Sequence, residues 1–144
     1  MILPALSVKQ PWTTMIANGS KTIETRTWCT EWRGPLVIVS SKKPDLELED
    51  MSTGLPLGQA LCITLLVNCR PMTRDDEQPA RCELYRGAYA WVFRGLWPIV
   101  PFAIKGRRGL YDLIIPRHVF IDETVSEEVA AYLDRAWNKG FRWR

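Results

Sequence analysis

The chain has 144 residues, 47% apolar and 24% charged, and its 19 Lys and Arg against 16 Asp and Glu give a net charge of +3. That length suits one ordinary domain whose core folds without disulfides or a structural metal, and the apolar share excludes a disordered polyelectrolyte. So small a charge excludes capture of an anionic partner by the field of the whole molecule, which leaves only a local cluster of cations for that task.

No N-terminal stretch reads as a leader and the apolar runs are too short to span a bilayer, so a cytoplasmic location without a membrane partner is expected. Cys29, Cys62, Cys69 and Cys82 make no Cys-x-x-Cys pair, and His118 is the single histidine. The expectation is therefore reduced thiols, no metal site and no cofactor, with assistance by a divalent ion left open. His118, beside Arg117, has no Ser, Cys or Asp arrangement around it that would make a triad.

A short apolar segment, residues 5–8, precedes Gln10 and Pro11, which open a helix closed by Gly19. Trp12, Met15 and Ile16 give that helix one apolar face. Residues 21–28 read as a strand, Arg33 and Gly34 as a turn, and residues 35–40 as a second strand. Residues 42–58 read as a loop or short helix around Leu46 and Leu48. The run QALCITLLV, residues 59–67, is apolar enough for a central strand covered on both faces. Residues 71–86, charged and carrying Pro79, read as an excursion outside the core. AYAWVF (88–93) and GLYDLII (109–115) complete five strands, flanking the proline-containing basic stretch LWPIVPFAIKGRR. Thr124, with Glu127 three residues on, marks the start of a C-terminal helix at about 124–138. This order predicts one α+β domain over residues 1–144, a mixed sheet curling into a small barrel rather than a doubly wound sheet. No glycine-rich phosphate loop is present.

Chemistry concentrates in GSKTIETRTW, residues 19–28. On a strand Glu24 and Arg26 share one face about 7 Å apart, with Ile23 and Thr25 on the other. Lys21 leaves the turn at Gly19 on a long stem that reaches either face. One reading is a solvated strand face with a weak ion pair. The other brings two cations and a carboxylate together beside Trp12 or Trp28, suited to a phosphate or polarised carbonyl next to a stacked base, with Lys21 or Glu24 as a general base. A second basic element, Lys105, Arg107 and Arg108 around Gly106, reads either as a hairpin turn or as a place of close backbone approach to an anion.

LSVKQPW (6–12), G-x-K-x-x-E-x-R (19–26), Arg33-Gly34-Pro35, AYAWVF and IKGRRGLY, in this order, resemble the ASCH domain, a PUA-like β-barrel family, over residues 5 to 115. The resemblance implies a small mixed barrel of five or six strands with flanking helices and a cationic cleft near the first helix, where Lys21, Glu24 and Arg26 would be catalytic. Lys9, Gln10, Trp12, Trp28, Lys105, Arg107 and Arg108 are its expected contacts to RNA or a modified nucleoside. Relatives of this kind bind RNA, and some are ribonucleases or amidohydrolases on N4-acetylcytidine. In the amidohydrolase pattern the threonine nucleophile falls at Glu24, leaving Thr22 and Thr25 on displaced positions. Three functions are thus expected: RNA or nucleoside binding with or without RNA hydrolysis, amide hydrolysis, or a non-catalytic protein-interaction module.

Overall fold

The computed structural model describes all 144 residues. Six strands, β1 (Ile2–Val8), β2 (Ile23–Arg26), β3 (Gly34–Ser40), β4 (Gln59–Pro71), β5 (Tyr89–Ala103) and β6 (Leu110–Ile114), form one sheet in the order β2-β5-β4-β3-β1-β6. Only β1 and β3 run parallel; every other neighbour is antiparallel. The helices are α1 (Trp12–Ala17), the single turn α2 (Glu77–Ala80) and α3 (Glu123–Asn138). The architecture is α+β, a curled half-barrel with flanking helices. No helix is long and apolar enough to cross a membrane.

Curling comes from the β4–β5 pair. Its register shifts at Ala60/Cys62, Thr64/Leu65 and Leu66/Asn68, and each irregularity bends and twists the ribbon locally. The prolines at 98 and 101, read above as a break between strands, lie inside the 15-residue β5. They are tolerated because β2 pairs only with Tyr89–Val92, leaving the far half of β5 without a strand on that side apart from the bridge Ile99–Phe120.

Two apolar clusters cover the opposite faces of the sheet, drawn from alternate residues of β1 and β3. One gathers Leu3, Val37, Ile63, Leu113 and Val129; the other gathers Leu6, Ile16, Trp32, Ile38, Leu66 and Trp91. Residues 71–86 do not stand outside the core as expected. Met72 and Ala80, with Ala88 just beyond the segment, bury against Ile23 and Ala90 as a third cluster, while Leu84 and Tyr85 stay exposed. Asp76 anchors it: Arg70 donates to both its oxygens at 2.7 and 2.8 Å, and the Thr73 N–H donates to it at 2.8 Å. The hydrogen-bonded Arg70 holds the Asp76 carboxyl down at about 2, so this anchor is intact at neutral pH and fails only as pH falls from the ordinary value of 3.8 through 2. The cap of α3 also differs from expectation. Asp122, not Thr124, accepts from the Val125 N–H at 3.0 Å, since a carboxylate two residues earlier stands just ahead of the first turn, whose amides are free.

The tightest junction lies at the start of β3. A Cβ on Gly34 would sit 2.6 Å from Trp32 Cζ2 and 3.1 Å from Ala136 Cβ, and Trp32 is fully buried with its indole N–H donated to the Pro35 carbonyl at 3.0 Å. Gly34→Ala is expected to force Trp32 or α3 outward and to cost about 1–3 kcal/mol. Urea denaturation should show a lower midpoint at unchanged slope.

Candidate functional site

Gly19 ends α1 in a left-handed conformation, φ 83°, where a side chain would be strained. The chain reverses there, and the Lys21 N–H donates to the Met15 carbonyl at 3.0 Å. This places the Lys21 ammonium 5.2 Å from the Trp12 ring centroid, while β2 carries Glu24 and Arg26 onward on one face.

The three side chains meet. Glu24 Oε2 pairs with Arg26 Nη1 at 2.9 Å and its Oε1 faces Lys21 Nζ at 3.5 Å, and Oε1 also takes the Thr25 N–H at 2.9 Å. Lys21 and Glu24 are 3% and 5% exposed, so the solvated-strand reading fails for them. Lys21 Nζ also donates to the Ala80 carbonyl. Ala80 is the last residue of α2, whose terminal carbonyls lack a partner within the helix. Burial pulls the Lys21 pKa below its ordinary 10.5, opposed by the adjacent Glu24 carboxylate. Arg26 then reaches across the open side of the half-barrel and donates from Nη2 to the Ser7 carbonyl at 2.8 Å, joining β2 to β1 although four strand pairings separate them in the sheet.

Ser7 is also the wall of a second feature. Because β1 and β3 are parallel and β6 is antiparallel to β1, the ends of β1 and β3 and the segment before β6 converge at one rim. Ser7, Ser41, Lys42, Lys105, Gly106, Arg107 and Arg108 line a cleft there of about 370 Å³. No acidic side chain lines it, and Lys42, Lys105, Arg107 and Arg108 are exposed and make no ion pair. Gly106 approaches Ser7 so closely that a Cβ would stand 2.7 Å from its Oγ. That hydroxyl meets the Tyr111 hydroxyl at 2.8 Å, and burial raises the Tyr111 pKa above its ordinary value.

The remaining expected residues separate. Gln10 is fully buried, its amide donating to Thr14 Oγ1 and the Pro56 carbonyl and accepting from the Thr14 N–H, so it supports α1 and has no free group for a ligand. Trp28 stands edge-on to Trp91 with centroids 4.7 Å apart, inside the core. Trp12 is half-buried and donates to Asp45 Oδ2 at 3.3 Å, and Lys9 is exposed. Thr22 is exposed and lines an opening of about 260 Å³ together with Lys21, Ile16, Thr64, Phe93 and Leu96, whereas Thr25 Oγ1 lies 3.8 Å from Cys82 Sγ. No group of three or more His, Cys, Asp or Glu side chains is placed to hold a metal. Residues missed by the sequence reading are Ser7, Lys42 and the carbonyl of Ala80. The basic pair at 42 and 43 after β3 was the available signal for Lys42; Ala80 had none.

Comparison with known proteins places the fold. The model of the ASCH domain matches residues 6–105. The crystal structure of an ASCH protein from Zymomonas mobilis superposes with a TM-score of 0.57 at 12% identity, covering 89% of this chain and 93% of that one. Two point mutants of the same protein superpose at 0.53 and 0.50, again at 12% identity and over 89% of this chain, covering 96% and 94% of theirs. No curated protein matches the sequence. The chain belongs to the ASCH domain family, a PUA-like fold family often linked to RNA binding.

Removing the charge of Glu24 tests the buried cluster. Glu24→Gln leaves Lys21 buried without its counter-charge, and the expected loss is about 3 kcal/mol. The sign of its pH dependence follows. With the carboxylate gone the folded-state pKa of Lys21 falls further below 10.5, so the unfolded chain binds more protons between those two values and stability rises with pH there. Chemical denaturation should therefore show the deficit of the variant shrinking as the solution is made alkaline toward 10.5.

Proposed function

We propose that this ASCH-domain protein binds single-stranded RNA through the phosphate groups of its backbone, held at the cleft of Lys42, Lys105, Arg107 and Arg108. One observation carries the reading: four unpaired, exposed cations and two serines line one cleft with no carboxylate among them. Charge-assisted hydrogen bonds from guanidinium and ammonium groups to phosphate oxygens are the strong interactions available to such a lining. Gly106 lets the backbone come close to the ligand, and Arg26, oriented by Glu24, fixes the Ser7 wall from behind.

In this reading Glu24 is a positioning residue. Lys21, Arg26 and the Thr25 amide occupy about three of the four acceptor positions of its carboxylate, which is 5% exposed. Two donors of the Lys21 ammonium are taken by the Ala80 carbonyl and Glu24, and the side chain lies buried in the wall of the 260 Å³ opening. Hydrolysis of RNA or of an acylated cytidine requires one of these groups to open toward a substrate.

Fluorescence anisotropy with a labelled single-stranded RNA over a series of salt concentrations tests the reading. At about −0.7 per phosphate contact for single strands, four cations set a log–log slope no steeper than about −3. Lys105→Ala should weaken binding and flatten the slope by about 0.7, whereas Arg117→Ala, remote from the cleft and paired with Glu123, should leave it unchanged. An unchanged slope in Lys105→Ala would reduce Lys105 to a turn residue. The same RNA, incubated with and without magnesium or manganese, should be recovered intact by mass spectrometry, and N4-acetylcytidine, lacking a phosphate, should neither compete nor be deacetylated. Cleaved RNA or deacetylated nucleoside would transfer the assignment to a hydrolase.

A further inference from the structure

Away from the cleft, the segment that leaves β2 folds back over the end of β4 and is held there by few bonds. Cys29 lies on it, three residues past Arg26, and is exposed; Cys69 lies on β4 and is 7% exposed. Their Sγ atoms are 2.8 Å apart, and Cys29 Sγ also lies 3.5 Å from the Cys69 carbonyl. Disulfide sulfurs stand about 2.05 Å apart, so a bond needs less than about 1 Å of sulfur movement. We propose that Cys29 and Cys69 form a reversible disulfide that latches the segment after β2 onto β4, with a low-molecular-weight disulfide such as oxidised glutathione as the oxidant.

The steps balance. The exposed Cys29, as its thiolate, attacks one sulfur of the oxidant and displaces one glutathione thiolate, which takes up the proton Cys29 released. Cys69 then loses its proton, and its sulfur attacks Cys29 Sγ and expels the second glutathione. Two protein thiols become one disulfide while one oxidised glutathione becomes two reduced molecules. Exposure makes Cys29 the entry point. Cys69 is shielded from the oxidant, and its thiol is pushed up to about 12 by burial and by the Cys29 hydrogen bond, so it acts as the resolving residue through proximity and closes faster as pH rises. The other thiols are placed differently: Cys62 is buried in the sheet and Cys82 lies beside Thr25.

Surrounding groups give the bond its consequence. Cys69 pairs across the sheet with Trp91, whose indole N–H donates to the Trp28 carbonyl at 3.1 Å. Arg33 holds the same segment by donating to the carbonyls of Thr30 and Trp32 at 2.7 Å and of Cys69 at 3.3 Å. A covalent tie at Cys29 therefore adds to a noncovalent clamp already in register and need not distort it. It also fixes the chain just beyond Arg26, the residue that joins β2 to β1.

Incubating the folded protein with excess oxidised glutathione, quenching with acid and digesting without reductant should give one cross-linked peptide containing Cys29 and Cys69, lighter by two hydrogen atoms and regenerated by dithiothreitol. The oxidised protein should melt roughly 10 °C higher than the reduced one, because the link closes a loop of forty residues in the unfolded chain. Cys29→Ser, changed at an exposed position, should match the reduced protein and ignore the oxidant. A glutathione adduct that persists on Cys29 with Cys69 still alkylatable, a bond from Cys29 to another thiol, or a cross-link that leaves the melting temperature unmoved would each overturn the latch.

Discussion

The half-barrel is held at its open side by one buried carboxylate. The sheet ends at β2 on one edge and β6 on the other, and no backbone ladder joins β2 to β1. The connection runs through side chains: Glu24 orients Arg26, and Arg26 donates to the carbonyl of Ser7. A guanidinium suits this span because its planar fork serves a carboxylate and a carbonyl at once, which a lysine ammonium on a flexible stem does less well. Glu24 in turn faces the ammonium of Lys21, which is held in place by the freed carbonyl at the end of α2. The 71–86 segment, apparently peripheral, is thus needed for the closure of the barrel.

Burial divides the cations into two groups with different duties. Lys21 and, in part, Arg26 have spent their donors on the protein, whereas Lys42, Lys105, Arg107 and Arg108 keep theirs facing solvent. Desolvation makes the first group costly and therefore paired; solvation leaves the second free for a ligand. Only Ser7 belongs to both, with its carbonyl behind the wall and its hydroxyl in the cleft.

The parts legible in the sequence were those set by local period. Alternation put Glu24 and Arg26 on one face, and Gly19 announced the end of α1, so their meeting at 2.9 Å followed from the pattern. The family motif carried the fold beyond that. Burial of Lys21 and Glu24 was not legible, because the carbonyl that receives the Lys21 ammonium belongs to Ala80, 59 positions away in a segment whose composition is polar. β5 hid its length behind Pro98 and Pro101, since a local rule against proline in strands does not record that one side of the strand lacks a partner. Gln10 and Trp28 were drawn into the site by the motif, yet their side chains serve the helix start and the core.

Net charge has a different meaning once the cleft is located. Apart from the four cations of the cleft, the remaining fifteen Lys and Arg are outnumbered by sixteen Asp and Glu. The body of the protein is therefore close to neutral, and its cations gather locally, at the acid-free rim cleft and at a second opening beside α3 lined by Arg33, Arg135 and Lys139. The field of such a cluster decays within about 8 Å at physiological ionic strength. It contributes little to long-range capture of a polyanion, but it orients one that has already arrived at the rim, where four unpaired cations stand without a carboxylate. A few phosphates held at one rim, with the chain beyond them left in water, is the mode of binding this distribution of charge permits.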